Sequence, residues 1–202
     1  MSFPKIVCIT GMDGTGKSTL IRSLKPDFPN AQIATIWDAF TQSDNGLAFE
    51  SKQAIDEYLC RQGPDARLMF LAHAMKQALD IALMTNPELL FVNGYYYKYF
   101  ASELALGAPL KLVKALAKAF PTPDLVLHLE LPIALAAARK TRWSRYECGL
   151  QQTPSQEGFV GFQQKVKPNW KYFETDDWLP LAATKSPESL VLTSKALISQ
   201  FL

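Results

Sequence analysis

Short apolar runs and amphipathic stretches alternate along the chain. Lys5-Ile6-Val7-Cys8-Ile9-Thr10 is β-rich and apolar throughout, as a parallel strand buried on both faces should be. Residues 18–24 carry apolar side chains at helical spacing, and Pro26 stops that helix. Residues 31–37 read as a second strand, and the polar, turn-rich residues 38–46 as a loop leaving its carboxyl end, where open α/β sheets bind ligands. Residues 50–61 read as a helix closed by Gln62-Gly63-Pro64. Residues 65–84 form the longest helical pattern. Leu68, Leu71, Ala72, Met75, Leu79 and Leu83 make one apolar stripe, and Phe70, Ala74, Ala78 and Ile81 a second. Only His73, Lys76, Gln77 and Asp80 form a polar stripe. A helix this apolar is covered on more than one side, by the domain's own core or by a second copy of the chain, so a homodimer is expected.

The alternation continues. Residues 88–93 read as a third strand, ending at Asn93-Gly94, and the aromatic run Tyr95-Tyr96-Tyr97-Lys98-Tyr99-Phe100 leads into a helix over 101–106. Another helix spans 110–119, a fourth strand 124–131, and Pro132 opens the next helix. Residues 158–173 are helical in pattern, with Pro168 ending or kinking them. Residues 178–183 read as a last strand, which Pro180 assigns to a sheet edge. Ser186 and Pro187 suit the cap and first position of a final amphipathic helix. The order predicts an α/β fold: one domain over residues 1–202, with a doubly wound sheet of about five parallel strands flanked by helices.

Between the first strand and first helix lies Gly11-Met12-Asp13-Gly14-Thr15-Gly16-Lys17-Ser18, which fits G-x-x-x-x-G-K-[ST]. A polyphosphate is held by successive inward-turned backbone N–H groups. Glycines permit the backbone angles and the close approach that this needs. Lys17 would reach the β- and γ-phosphates, the Ser18 hydroxyl would ligate Mg²⁺, and the helix starting there would aim its positive end at the anion. Strand, glycine loop and helix stand in the required order, so Gly11, Asp13, Gly14, Thr15, Gly16, Lys17, Ser18 and Thr19 are candidate ATP-binding residues.

Composition narrows the partners. A net charge of +2 over 202 residues is too small to argue for nucleic acid or an anionic membrane surface. No apolar run is long enough to span a bilayer. Cys8, Cys60 and Cys148 are odd in number and widely spaced, which suits a reducing, cytoplasmic setting better than a disulfide framework. Residues 139–145 form a basic cluster, and residues 148–157 are rich in Gly, Gln, Thr, Pro and Ser. Together they make a candidate mobile lid over about residues 139–157. His73 and His128 read as structural, and the Tyr95–Phe100 run reads equally as an acceptor wall or as packing.

With these motifs in order, the sequence resembles the thymidylate kinase family of P-loop nucleoside monophosphate kinases. The glycine loop with Asp13 resembles the family's acidic version of the motif. Leu68-Met69-Phe70-Leu71-Ala72 resembles the stretch whose Phe stacks on thymine, and Asn93-Gly94-Tyr95 stands where the family has Asp-Arg-Tyr. Leu129-Glu130-Leu131-Pro132 is similar to its Leu-Asp-x-Pro. Arg145-Tyr146-Glu147, with the helix after it, resembles the lid, and residues 183–188 resemble the adenine-side loop.

The resemblance implies MgATP as co-substrate and a small phosphoryl acceptor, dTMP first. It makes Lys17, Arg142 and Arg145 candidate catalytic residues, although a basic helix end is also ordinary solvated surface. Asp13 would accept from an acceptor sugar hydroxyl, and Arg139 would lie on the ATP side, against adenine. Phe70, Tyr95 and Lys98 would face the acceptor, and Glu130 would assist Ser18 with the metal through water. The departures lie on the acceptor side. Gly94 and Ala74 stand where family arginines are expected, and Trp37-Asp38-Ala39-Phe40 replaces an Arg-x-Pro-Gly loop. Lys98, and second Lys76, are the candidate replacement cations. A different phosphate or hydroxyl acceptor, or a nucleotide-binding protein without transfer, remain as alternatives.

Overall fold

The apolar runs pair with one another. A computed structural model describes residues 4–41 and 49–202; the expected loop residues 42–46 lie outside them. Strands β1 (Lys5–Thr10), β2 (Gln32–Ala34), β3 (Leu89–Asn93), β4 (Leu125–Glu130) and β5 (Leu179–Ala182) form one parallel sheet in the order β2-β3-β1-β4-β5. The central strand β1 sets Ile9 opposite Asn93 on β3 and Thr10 opposite His128 on β4. Connections leaving β1 and β3 run to opposite sides of the sheet, so a crevice opens at their carboxyl ends. Pro180 lies in the edge strand β5, where a missing N–H costs no ladder bond.

Alternate residues of the strands feed two cores. Ile6 and Cys8 pack with helices α4 (Pro64–Leu83) and α5 (Tyr95–Ala105); Val7 and Ile9 pack with α1 (Lys17–Leu24) and α9 (Pro187–Phe201). Helix α9 is capped by the Ser186 hydroxyl, which accepts from the Ser189 N–H. Pro168 ends helix α8 (Gln156–Val166), and the chain continues as a 3₁₀ turn over Lys167–Tyr172.

The apolar excess of α4 is taken up within the chain, by α5, by the short α2 (Asp38–Thr41), by α6 (Leu110–Ala117) and by β2. What stays exposed is a mixed stripe that includes Met69, His73, Asp80 and Met84. The helical signal begins earlier than the pattern suggests: the Tyr95–Phe100 run forms the first turns of α5, and its rings pack on Phe120, Phe173 and Trp178. His128 stacks on Trp170, with its Nδ1 3.3 Å from Glu174, and burial lowers its pKa.

One charge is buried deeply. Arg67 on α4 is 1% exposed, and its Nε lies 2.9 Å from both carboxylate oxygens of Glu103 on α5. The Tyr146 hydroxyl donates to the same carboxylate at 2.9 Å. Such a pair adds little net stability against an apolar replacement, but removing one partner costs about 3–5 kcal/mol. It therefore fixes how α4, α5 and the Tyr146 segment meet. No helix of the described residues is long and apolar enough to cross a membrane.

Candidate active site

The glycine loop turns tightly where β1 ends. Gly11 has φ 133, and a Cβ there would fall 2.5 Å from the Leu129 carbonyl oxygen, so no side chain fits. The Thr15 hydroxyl donates to the Met12 carbonyl at 2.9 Å and braces the loop from inside. Gly16 caps α1, and Lys17 is its first residue. The Lys17 Nζ donates to the same Met12 carbonyl at 2.6 Å. Burial, then the neighbouring Lys98 ammonium, pushes the Lys17 pKa down to about 7. A phosphate group would reverse that trend. The Ser18 hydroxyl accepts from the Asn93 side-chain amide at 2.9 Å, which ties the loop to the end of β3.

A cavity of about 860 Å³ opens from this loop. Asp13, Lys17, Ser18 and Thr19 line one end; Trp37, Phe40 and one face of helix α3 (Lys52–Arg61) line the other; Arg142 to Glu147 form its lid side. Lys98 lines this cavity as well. It stands one turn into α5 from Gly94, and a Cβ at Gly94 would lie 3.5 Å from the Lys98 side chain. The Lys98 Nζ reaches Asp13 Oδ1 at 2.5 Å. Burial alone would raise the Asp13 pKa, but the Lys98 and Lys17 ammonium groups outweigh it and hold it at about 2. Burial would likewise lower the Lys98 pKa, and Asp13 outweighs it and raises it. Both members of the pair are therefore charged at neutral pH.

The segment expected to form a lid is held at several points. Lys140 pairs with Glu147 at 3.0 Å, whose other oxygen accepts from the Ser144 N–H. Arg145 donates from Nε to the Gln151 carbonyl at 3.3 Å and also lines the cavity. Asp56 on α3 accepts from the Arg145 and Tyr146 backbone N–H groups at 3.0 and 2.9 Å.

Of the residues expected from the sequence, the cavity lining brings together Asp13, Gly14, Gly16, Lys17, Ser18, Thr19, Lys98, Arg142 and Arg145. Gly11 and Thr15 shape the loop from behind. The lining does not include Phe70, Tyr95, Arg139, Glu130 or Lys76. Phe40 stacks on Phe70 at 5.7 Å and presents itself in its place. Tyr95 is fully buried, with its hydroxyl donating to the Pro121 carbonyl at 2.7 Å. Arg139 donates to the Ala183 carbonyl at 2.9 Å, toward the loop expected on the adenine side. Glu130 meets that loop through its backbone carbonyl, which accepts from the Ala183 N–H.

The sequence reading missed Asp56, along with its neighbours Lys52, Gln53 and Glu57, which line the cavity. A signal was present: four polar residues at i, i+1, i+4 and i+5 mark one face of a helix. Among the described residues, no group of three His, Cys, Asp or Glu side chains could hold a metal by itself. The donors present, the Ser18 hydroxyl beside the Asn93 amide, suit a Mg²⁺ carried mainly by phosphate oxygens and water.

No family model matches the chain. It is 26% identical over 210 residues, 98% of both chains, to the probable thymidylate kinase of Halorubrum lacusprofundi. It is 26% identical to probable thymidylate kinase 1 of Saccharolobus solfataricus, over 67% of this chain and 69% of that one. Among solved structures, thymidylate kinase from Candida albicans aligns over 99% of this chain and 93% of its own, with a TM-score of 0.71 and 16% identity. Deoxyadenosine kinase from M. mycoides aligns over 96% and 98%, with a TM-score of 0.65 and 13% identity. The two structures share the fold found here.

Proposed function

From the premise that the chain belongs with the thymidylate kinases it resembles along its length, we propose that it transfers the γ-phosphoryl group of MgATP to a nucleoside monophosphate, with dTMP the first candidate. The observation that carries this reading is the cavity itself. A phosphate-binding loop closes one end, and the lid arginines Arg142 and Arg145 and the Asp13–Lys98 pair all open into the same space. Phosphoryl transfer needs positioning and charge neutralisation more than a strong base. Lys17 and the loop amides would hold the β- and γ-phosphates, and Ser18 would supply a protein oxygen to Mg²⁺. Arg142 and Arg145 would face the charge that develops on the transferring group. The three cysteines are free, which suits a cytoplasmic enzyme.

Lys98 is the acceptor-side cation in this reading. It lines the cavity beside the phosphate-binding loop, and it could exchange Asp13 for an acceptor phosphate while Asp13 turns to a sugar hydroxyl. A lysine is a point charge and does not reproduce the planar fork of a lost arginine. Each missing charge-assisted contact costs about 1.5–3 kcal/mol, so two lower acceptor affinity by about two to four powers of ten. Half-saturation by dTMP is therefore expected well above low micromolar concentration. Lys98→Ala should raise the KM for dTMP by about tenfold or more and leave the KM for ATP nearly unchanged. Steady-state kinetics checks this, and unchanged dTMP kinetics would remove Lys98 from the acceptor site.

A further inference from the structure

Asp56 belongs to no part of the glycine loop, and in the described structure its carboxylate makes no ion pair. Both of its oxygens are used on backbone. One accepts from the Arg145 N–H at 3.0 Å and the other from the Tyr146 N–H at 2.9 Å, across 89 and 90 residues of sequence. These are the first N–H groups of the 3₁₀ turn Tyr146–Cys148 and of the residue that caps it, where a turn leaves donors without internal partners. A carboxylate there satisfies two donors at once, and charge-assisted bonds of this kind are about twice as strong as neutral ones. On its far side, the same turn is fastened by the Tyr146 hydroxyl to Glu103, both of whose oxygens share the Nε–H of the buried Arg67. The turn is thus clamped between a cavity-facing carboxylate on α3 and a buried ion pair on α4 and α5.

The clamp lies next to both kinds of chemistry. Arg145, whose N–H is held, lines the cavity, and so do Lys52 and Gln53, which precede Asp56 on the same face of α3. We propose that Asp56 is a positioning residue that latches the lid turn to the cavity wall formed by α3, so that Arg145 is delivered over the phosphates only when α3 is in place. This inference rests on the kinase reading for its catalytic consequence, but the latch itself is a property of the protein without ligands. By linkage, whatever orders α3 from the acceptor side also orders the lid, and a nucleotide that orders the lid favours the acceptor by the same factor.

The test separates the two readings. In the ligand-free Asp56→Ala protein, amide exchange at Arg145 and Tyr146 should accelerate by about 10- to 100-fold, while exchange in β1 and β3 stays as in wild type. In the active enzyme, kcat should fall by a similar factor with the KM for ATP little changed, and tightening of ATP by bound acceptor should be lost. If Asp56→Ala destabilises the whole fold, Asp56→Asn carries the same test. It matches the carboxylate in shape and keeps one accepting oxygen, so one of the two amides should stay protected. Faster exchange without any kinase activity in wild type would leave the latch standing and remove the kinase reading. Unchanged exchange at both amides, or full coupling between the ligands in Asp56→Asn, would overturn the latch.

Discussion

Replacing Lys17 with alanine lowers phosphoryl transfer by about 10³-fold or more, the scale seen when a fixed donor to developing charge is removed. The reason is visible in the ligand-free protein. The ammonium is buried at the start of α1, resting on the Met12 carbonyl, with Lys98 near enough to repel it. Its pKa of about 7 marks a cation that the free enzyme holds at a cost and that a polyphosphate would restore. The sign follows directly. At pH 8 Lys17 is mostly neutral in the free enzyme, and bound phosphate favours its charged form. Nucleotide binding should therefore take up a proton at pH 8, and ATP affinity should fall as pH rises above about 7. Titration calorimetry in buffers of different ionisation heat measures the uptake, and Lys17→Ala should abolish it. Turnover like wild type in a folded Lys17→Ala protein, or no proton uptake in wild type, would contradict this role.

Arg145→Ala is the second large effect. An arginine brought to the transferring group is worth about 10³–10⁵ in rate in enzymes of this chemistry. Here the Arg145 backbone is fixed by Asp56, and one edge of its side chain is held by the Gln151 carbonyl. The expected loss is about 10³-fold in kcat with little change in the KM for ATP. Arg145→Lys should recover only a small part, since an ammonium cannot present two parallel donors. Arg142→Ala, at an exposed position on the same cavity wall, should cost less. A loss under about threefold in both alanine variants, read by steady-state ADP release, would make the basic cluster ordinary solvated surface.

What the sequence revealed and what it concealed follow the range of the interactions. The glycine loop is local: its spelling, the strand before it and the helix after it lie within 20 residues, so its chemistry could be read directly. Pro180 at a sheet edge and Pro168 at a helix end were legible for the same reason, because each acts through its own missing N–H. The far wall of the cavity was not. Phe40 covers Phe70 because two segments 30 residues apart meet, and nothing in either stretch announces it. Arg67 hid inside an apolar helical pattern because its partner, Glu103, lies 36 residues away. The apolar circumference of α4 suited the domain's own core or a second copy of the chain, and within the chain α2, α5 and α6 cover most of it. The polar face that carries Asp56 was legible at helical spacing, but its partners are backbone amides, which carry no sequence signature.

The most direct measurement is ADP release from MgATP with dTMP and thymidine supplied in parallel to the wild-type protein. The account predicts dTMP-dependent ADP formation, saturating well above low micromolar dTMP, with thymidine no different from the rate without acceptor. ADP release that no nucleoside monophosphate raises, or that thymidine raises and dTMP does not, would contradict it.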